Sequence, residues 1–147
     1  MSKVIKLGIA KNSNQKIEEV EKVKLLSGRG IVDDYHFNEN NDVKKQITLI
    51  ESENIDYYND KFKTNYSYLE FRRNVVTKGI RLNDLVGKKL LIGDIEVKGH
   101  DLCRPCKHLE ETLKGKDIIK EFIRKGGLRC EILISGTIKL GDEIKTI

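Results

Sequence analysis

The densest chemistry in the sequence lies between Val97 and Leu109, which reads Val-Lys-Gly-His-Asp-Leu-Cys-Arg-Pro-Cys-Lys-His-Leu. The pattern predicts a strand that ends, a loop carrying Cys103, Arg104, Pro105 and Cys106, and a helix that begins. Pro105 has a fixed φ that suits a first helical turn. Cys106 then falls near a helix N-terminus, where free amides and the helix dipole favour an anion. Arg104 and Lys107 add positive charge nearby, and each of these effects raises the thiolate fraction. A thiolate is a soft metal ligand or a carrier of sulfane sulfur. The expectation is an anionic Cys106, exposed in an electropositive cleft at a strand-to-helix junction.

Other chemistries compete for the same residues. Cys103 and Cys106 make half of a zinc site, which His36, His100, His108 or Cys130 would have to complete, yet no spacing matches a zinc ribbon or finger. A thioredoxin-like redox pair wants a βαβ context that the chain lacks. Two ordinary free thiols are the plain alternative. Cys130 sits among Leu128, Ile132 and Ile134 in a strand pattern and reads as core. His36 lies beside Asp33 and Asp34 in a polar stretch, where it either faces water or donates a proton to a bound ligand.

The elements around this loop are short. Val4–Ile9 and Val20–Leu25 read as strands, and residues 31–46 as a long polar loop. Ile47–Ile50 is a buried-strand pattern, followed by a helix over 51–62 with Ser52 as candidate cap. Leu82–Val86 reads as one helical turn closed by Gly87. Lys89–Ile92 and Ile95–Lys98 flank Gly93-Asp94 as a hairpin. Lys107–Lys125 has helical spacing interrupted at Gly115. Leu128–Ile134, Thr137–Leu140 and Glu143–Ile147 are closing strands around Ser135-Gly136 and Gly141-Asp142 turns. Strands joined by glycine turns outnumber helices, which predicts a mainly β, barrel-like fold with a helical insertion.

The 147 residues suit a single domain spanning 1–147. No apolar run is long enough to span a bilayer and no signal peptide is evident, so a cytoplasmic protein is expected. The net charge of +5 is scattered among Glu and Asp, Trp is absent and aromatics are 6%, which gives a nucleic-acid platform poor support. A small anionic ligand needs only a few Lys or Arg. Three cysteines, an odd number, argue against a disulfide framework.

Four segments, in order, resemble the MOSC family, the module at the C-terminus of molybdenum cofactor sulfurases. They are Gly28 through His36, with Asp34-Tyr35-His36, followed by Gln46–Ile50; Arg73-Asn74-Val75-Val76-Thr77-Lys78-Gly79-Ile80-Arg81-Leu82; Leu90–Gly93 leading to Pro105-Cys106-Lys107-His108-Leu109; and Gly127–Cys130 through Gly136–Asp142. The resemblance implies a small stand-alone, β-barrel-like MOSC fold that binds the molybdenum cofactor, with Cys106 as metal or sulfur ligand. It also implies a pterin phosphate held by cationic groups, for which Arg73, Asn74, Arg104 and Lys107 are the candidates, and Arg is the better bidentate partner. Asn74 capping a turn and Arg73 facing water are the plain alternatives.

The chain departs from the family pattern in three places. Arg73 stands where many members carry Glu, Phe37 follows His36 where a glycine is usual, and Cys103 is an extra thiol able to resolve a persulfide or pair with Cys106. As read, the sequence shows no pyridoxal-phosphate desulfurase domain, so the resemblance implies a separate sulfur-donor or electron-donor protein. Three functions stay open on these grounds. One is a cofactor or sulfur carrier or a reductase of N-hydroxylated compounds, an oxidoreductase with Cys106 and His36 as catalytic groups. The others are a non-catalytic delivery module and a zinc-stabilised binding domain.

Overall fold

The computed structural model describes residues 1–105 and 107–147, and of His108 the backbone alone. Its strands are β1 (Lys3–Ile9), β2 (Glu18–Val20), β3 (Lys22–Leu26), β4 (Gly30–Ile31), β5 (Ile47–Glu51), β6 (Val75–Lys78), β7 (Lys89–Ile92), β8 (Ile95–Leu102), β9 (Leu128–Ile132), β10 (Gly136–Lys139) and β11 (Ile144–Thr146). The helices are α1 (Ser52–Phe62), α2 (Lys107–Leu113) and α3 (Ile118–Phe122), with 3-10 turns at Tyr68–Phe71 and Leu82–Leu85.

Eight strands form one mixed sheet in the order β11-β7-β8-β9-β5-β6-β1-β2, and β10-β3-β4 form a second. Parallel neighbours need a crossover, and α1 supplies it between β5 and β6. The large sheet curls until its ends meet. Val4 N donates to Asp142 O and Ile144 N to Ser2 O, both at 2.9 Å, beside a bridge from Lys3 to Glu143. Closure of this kind removes exposed strand edges. The mainly β, barrel-like expectation therefore holds.

Period-two alternation fills the barrel. Leu90 and Ile92 of β7, Ile95 and Val97 of β8, and Leu128, Cys130 and Ile132 of β9 all point into one apolar core. A second cluster lies between the outer side of β5 and β6 and the helices, joining Ile50 and Val76 to Ile55, Tyr58, Leu113 and Phe122. Phe122 stacks against Tyr58 and Phe71 at centroid distances of 5.6 and 4.7 Å. These aromatic contacts fix the helical layer over one side of the barrel.

The interruption expected at Gly115 holds: Lys107–Lys125 forms two helices, and Lys114 and Asp117 take left-handed φ values of 56° between them. Tyr58 and Tyr66 hold that break by donating to Lys116 O and Leu113 O at 2.6 and 2.7 Å. Ser52 is not the cap of α1. Glu51 occupies that place, and Ser52 is buried with its hydroxyl directed to Glu53 at 3.3 Å. The single strand expected at Val20–Leu25 divides at Glu21 into β2 and β3, which belong to different sheets. Gly136 opens β10 rather than serving the preceding turn. The polar stretch from 31 to 46 begins with the end of β4 and is then tied down by Asn41, whose Nδ2 donates to Arg29 O at 2.9 Å and His36 O at 2.6 Å. Among the described residues no helix is long and apolar enough to cross a membrane.

Candidate anion-binding cleft

A cleft of about 350 Å³ lies where the polar 31–46 stretch, the outer side of β5 and β9, and the Cys103–Arg104 loop converge. Strand pairing builds its floor. Thr48 lies opposite Arg129, so while Leu128 and Cys130 face the barrel core, Arg129 faces out. A register shift at His100 in β8 sets Asp101 opposite Arg129, as a bulge does when it re-aims side chains. The Arg129 guanidinium grips the Asp101 carboxylate through two bonds, one from Nε at 3.0 Å and a shorter one from Nη2. Lys44 approaches the same carboxylate at 3.8 Å.

Asn74 supplies the corner. Its side chain is buried, Nδ2 donates to Gly8 O at 3.1 Å, and Oδ1 accepts from Thr48 N and Oγ1, both at 3.1 Å. Its amide thus ties β1 to β5 at the head of β6 while its edge lines the cleft. Before it, Ser67 and Glu70 form a reciprocal capping box, with Ser67 N donating to Glu70 Oε2 at 2.7 Å. That box ends at Arg72, left-handed at φ 62°, which turns the chain so that Arg73 enters the cleft. Arg73 Nε donates to Gly126 O at 2.8 Å, and its guanidinium also hydrogen-bonds the Cys103 thiol.

Cys103 is buried at 6% exposure, and its amide donates to Gly127 O at 2.7 Å. Burial pushes its thiol up, while Arg73 and Arg129 pull it back only part of the way. The midpoint of its alkylation–pH profile, followed by mass spectrometry, is accordingly expected above the ordinary thiol value of 9.0. A midpoint at or below that value would show that the two guanidiniums outweigh burial. Cys130 is fully buried and pushed up by burial still further, as its reading as core requires.

At the rim, Asp34 and His36 form a pair. Asp34 accepts from Ala10 N at 3.0 Å and from His36 N at 3.2 Å, and its Oδ2 lies 3.4 Å from His36 Nδ1. Burial favours the neutral acid, but the hydrogen bonds from His36 and Ala10 outweigh it and hold Asp34 below the usual carboxylate range. A carboxylate fixed in this way orients the imidazole and leaves Nε2 for a ligand. The partner of His36 is Asp34 rather than Asp33.

The cleft thus gathers Asp34, His36, Arg73, Asn74, Cys103 and Arg104 from the sequence expectations, and adds Lys44, Lys45, Arg72 and Arg129. Among the described residues, six Lys or Arg side chains line it against one carboxylate, Asp34, so its field favours anions. No hydrogen bond or ion pair among the described residues engages the side chains of Arg104 or Lys45. Lys107 is exposed on α2 and does not line the cleft. Cys106, the expected ligand, lies outside the described residues, as does the side chain of His108. His100 pairs with Glu131 at 2.9 Å, and no three metal-binding side chains cluster among the described residues. Arg129 was legible only as an outward position in an alternating strand. Lys44 and Lys45 gave no signal beyond their charge.

The fold has counterparts among solved structures. The YuaD protein of Bacillus subtilis superposes with a TM-score of 0.81 at 19% identity, over 99% of this chain and 96% of that one. YiiM of Geobacillus stearothermophilus gives 0.79 at 15%, over 100% and 75%, and YiiM of Escherichia coli 0.74 at 15%, over 100% and 70%. Identities this low speak to fold alone. No protein of curated function matches the chain. A family model for the MOSC domain matches residues 32–145, a span that holds every charged side chain of the cleft, and the chain belongs to the MOSC domain family.

Proposed function

We propose that the chain binds the molybdenum cofactor through this cleft, as a cofactor or sulfur carrier or as a reductase of N-hydroxylated compounds. Membership of a family tied to molybdenum cofactor biology supports the reading. The observation that carries it is the convergence of Arg73, Arg104 and Arg129 on one cleft beside a sulfur. The donor set fits such a group: guanidiniums and Lys45 suit a pterin phosphate, and thiol sulfur suits a soft metal. Arg73 and Arg104 would hold the phosphate, and Cys106 is assigned as metal or sulfur ligand from its Pro-Cys position in the sequence. When bound, the cofactor supplies two-electron redox or sulfur-carrying chemistry.

The chain's own residues would bind, orient and protonate. Asp34 fixes His36 from the Nδ1 side, so Nε2 is the atom that would deliver a proton to a bound N-hydroxylated compound. Thr48 and Asn74 keep β5 and β6 in register beneath it. Electron or sulfur donation is assigned to a separate protein, in the cytoplasm.

Protein purified anaerobically from its own host is expected to carry molybdenum and a fluorescent pterin. Cys106→Ser should lower the bound molybdenum by more than about tenfold, whereas Cys130→Ser should leave it nearly unchanged in the folded fraction. Absence of both metal and pterin with cofactor biosynthesis intact would overturn the proposal, and equal losses from the two variants would overturn the assignment of Cys106. A persulfide on Cys106 by mass spectrometry, with no turnover of hydroxylamine substrates, would identify a delivery module instead.

A further inference from the structure

A second cavity, of about 410 Å³, shares Cys103 and Arg104 with the first but has a different character. Leu102, Pro105, Ile119 and Ile123 give it an apolar wall, and Ile123 is 57% exposed. Its charged groups are Asp101, Arg104 and Arg124. Asp101 is committed to Arg129 by two bonds. Among the described residues, no hydrogen bond or ion pair engages the side chain of Arg104 or Arg124. Among the described residues, the cavity therefore holds two cations and no free carboxylate.

Arg124 is left-handed at φ 62°, as are Lys63, Arg72 and Lys114 at other turns. Asn83 helps to hold it there by donating from Nδ2 to Arg124 O at 2.7 Å. The turn after α3 thereby sets an exposed isoleucine beside a guanidinium with no partner among the described residues, both at one cavity. A volume near 400 Å³, apolar walls and a few placed charges are the attributes of a small-molecule site.

We propose that this second cavity binds a small organic anion with a flat apolar body, of the aromatic carboxylate or sulfonate class, its charge met by Arg104 and Arg124 and its body by Ile119 and Ile123. The site abuts the first cleft at Cys103 and shares Arg104 with it, while Arg124, Ile119 and Ile123 belong to the second cavity alone.

The test uses the full chain, labelled at isoleucine methyls, titrated with 1-naphthoate and with neutral 1-naphthalenemethanol. Naphthoate is expected to bind saturably with the largest shifts at Ile119 and Ile123, and at least about fivefold more tightly than the alcohol. Arg124→Gly, which suits the left-handed backbone and removes the guanidinium, should weaken naphthoate by a similar factor, while Arg124→Lys should retain most of the binding. Should the glycine variant misfold, Arg104→Gln is expected to give the same weakening. Lys45→Ala, on the first cleft, should leave naphthoate binding unchanged, and Arg124→Gly should leave the molybdenum content unchanged. Equal affinity for acid and alcohol, shifts elsewhere than at these isoleucines, or no effect in the folded arginine variants would overturn the proposal.

Discussion

Gly127→Ala is expected to cost more than about 4 kcal/mol, enough to leave a domain of ordinary stability largely unfolded. Two facts combine at this residue. Its φ of +111° is one that L side chains rarely adopt, and an added Cβ would lie 2.1 Å from Leu49 O. That oxygen belongs to the backbone of β5, which is paired on both sides and cannot retreat. The same turn also fixes the cleft, since Gly126 O accepts from Arg73 and Gly127 O from the Cys103 amide. Any folded remnant should therefore lose anion binding as well as stability. Denaturant unfolding and phosphate titration of the soluble fraction measure the two effects. A variant within about 1 kcal/mol of the parent, with binding intact, would show that the turn adapts and that its tightness does not set the cleft.

What the sequence disclosed about this cleft follows from how far apart its parts lie along the chain. The hairpin at Gly93-Asp94 and the alternation of Leu128, Cys130 and Ile132 are local patterns, and both stand in the structure. Arg73 and Arg104 were legible through motif neighbourhoods, and the structure brings them to one cavity. Arg129 was hidden because its role depends on Asp101, a partner reached only through the β8–β9 register and its bulge. Ser52 misled because a serine before a helical pattern is usually a cap, whereas here packing beneath the helix buries it. The break between α2 and α3 was legible at Gly115, but the tyrosine hydroxyls that hold it were not, since they come from residues 58 and 66. Cys103 looked like an accessory to Cys106. Burial and the grip of Arg73 make it part of the cleft wall.

Asn74→Ala should destabilise the chain by about 2–4 kcal/mol, through lost hydrogen bonds rather than lost ligand contact. Removing the amide leaves Gly8 O without its Nδ2 donor and Thr48 N without its Oδ1 acceptor, in a corner where Asn74 itself is only 8% exposed. Buried backbone groups left unpaired cost about 1–3 kcal/mol each, partly recovered if water enters the space. Asn74→Asp separates the lost donor to Gly8 O from the lost acceptor for Thr48 N. The aspartate keeps an acceptor for Thr48 but sets a second oxygen against Gly8 O, so it should destabilise nearly as much as alanine near neutral pH. Protonation restores a donor, so the deficit of the aspartate variant relative to the parent should narrow on acidification. The architectural role predicts that ligand affinity per folded molecule changes little in Asn74→Ala, whereas Arg73→Ala should weaken phosphate by roughly tenfold with a smaller loss of stability. If instead Asn74→Ala keeps its stability and loses the anion, the amide is a ligand group, and the crosslink between β1 and β5 is incidental.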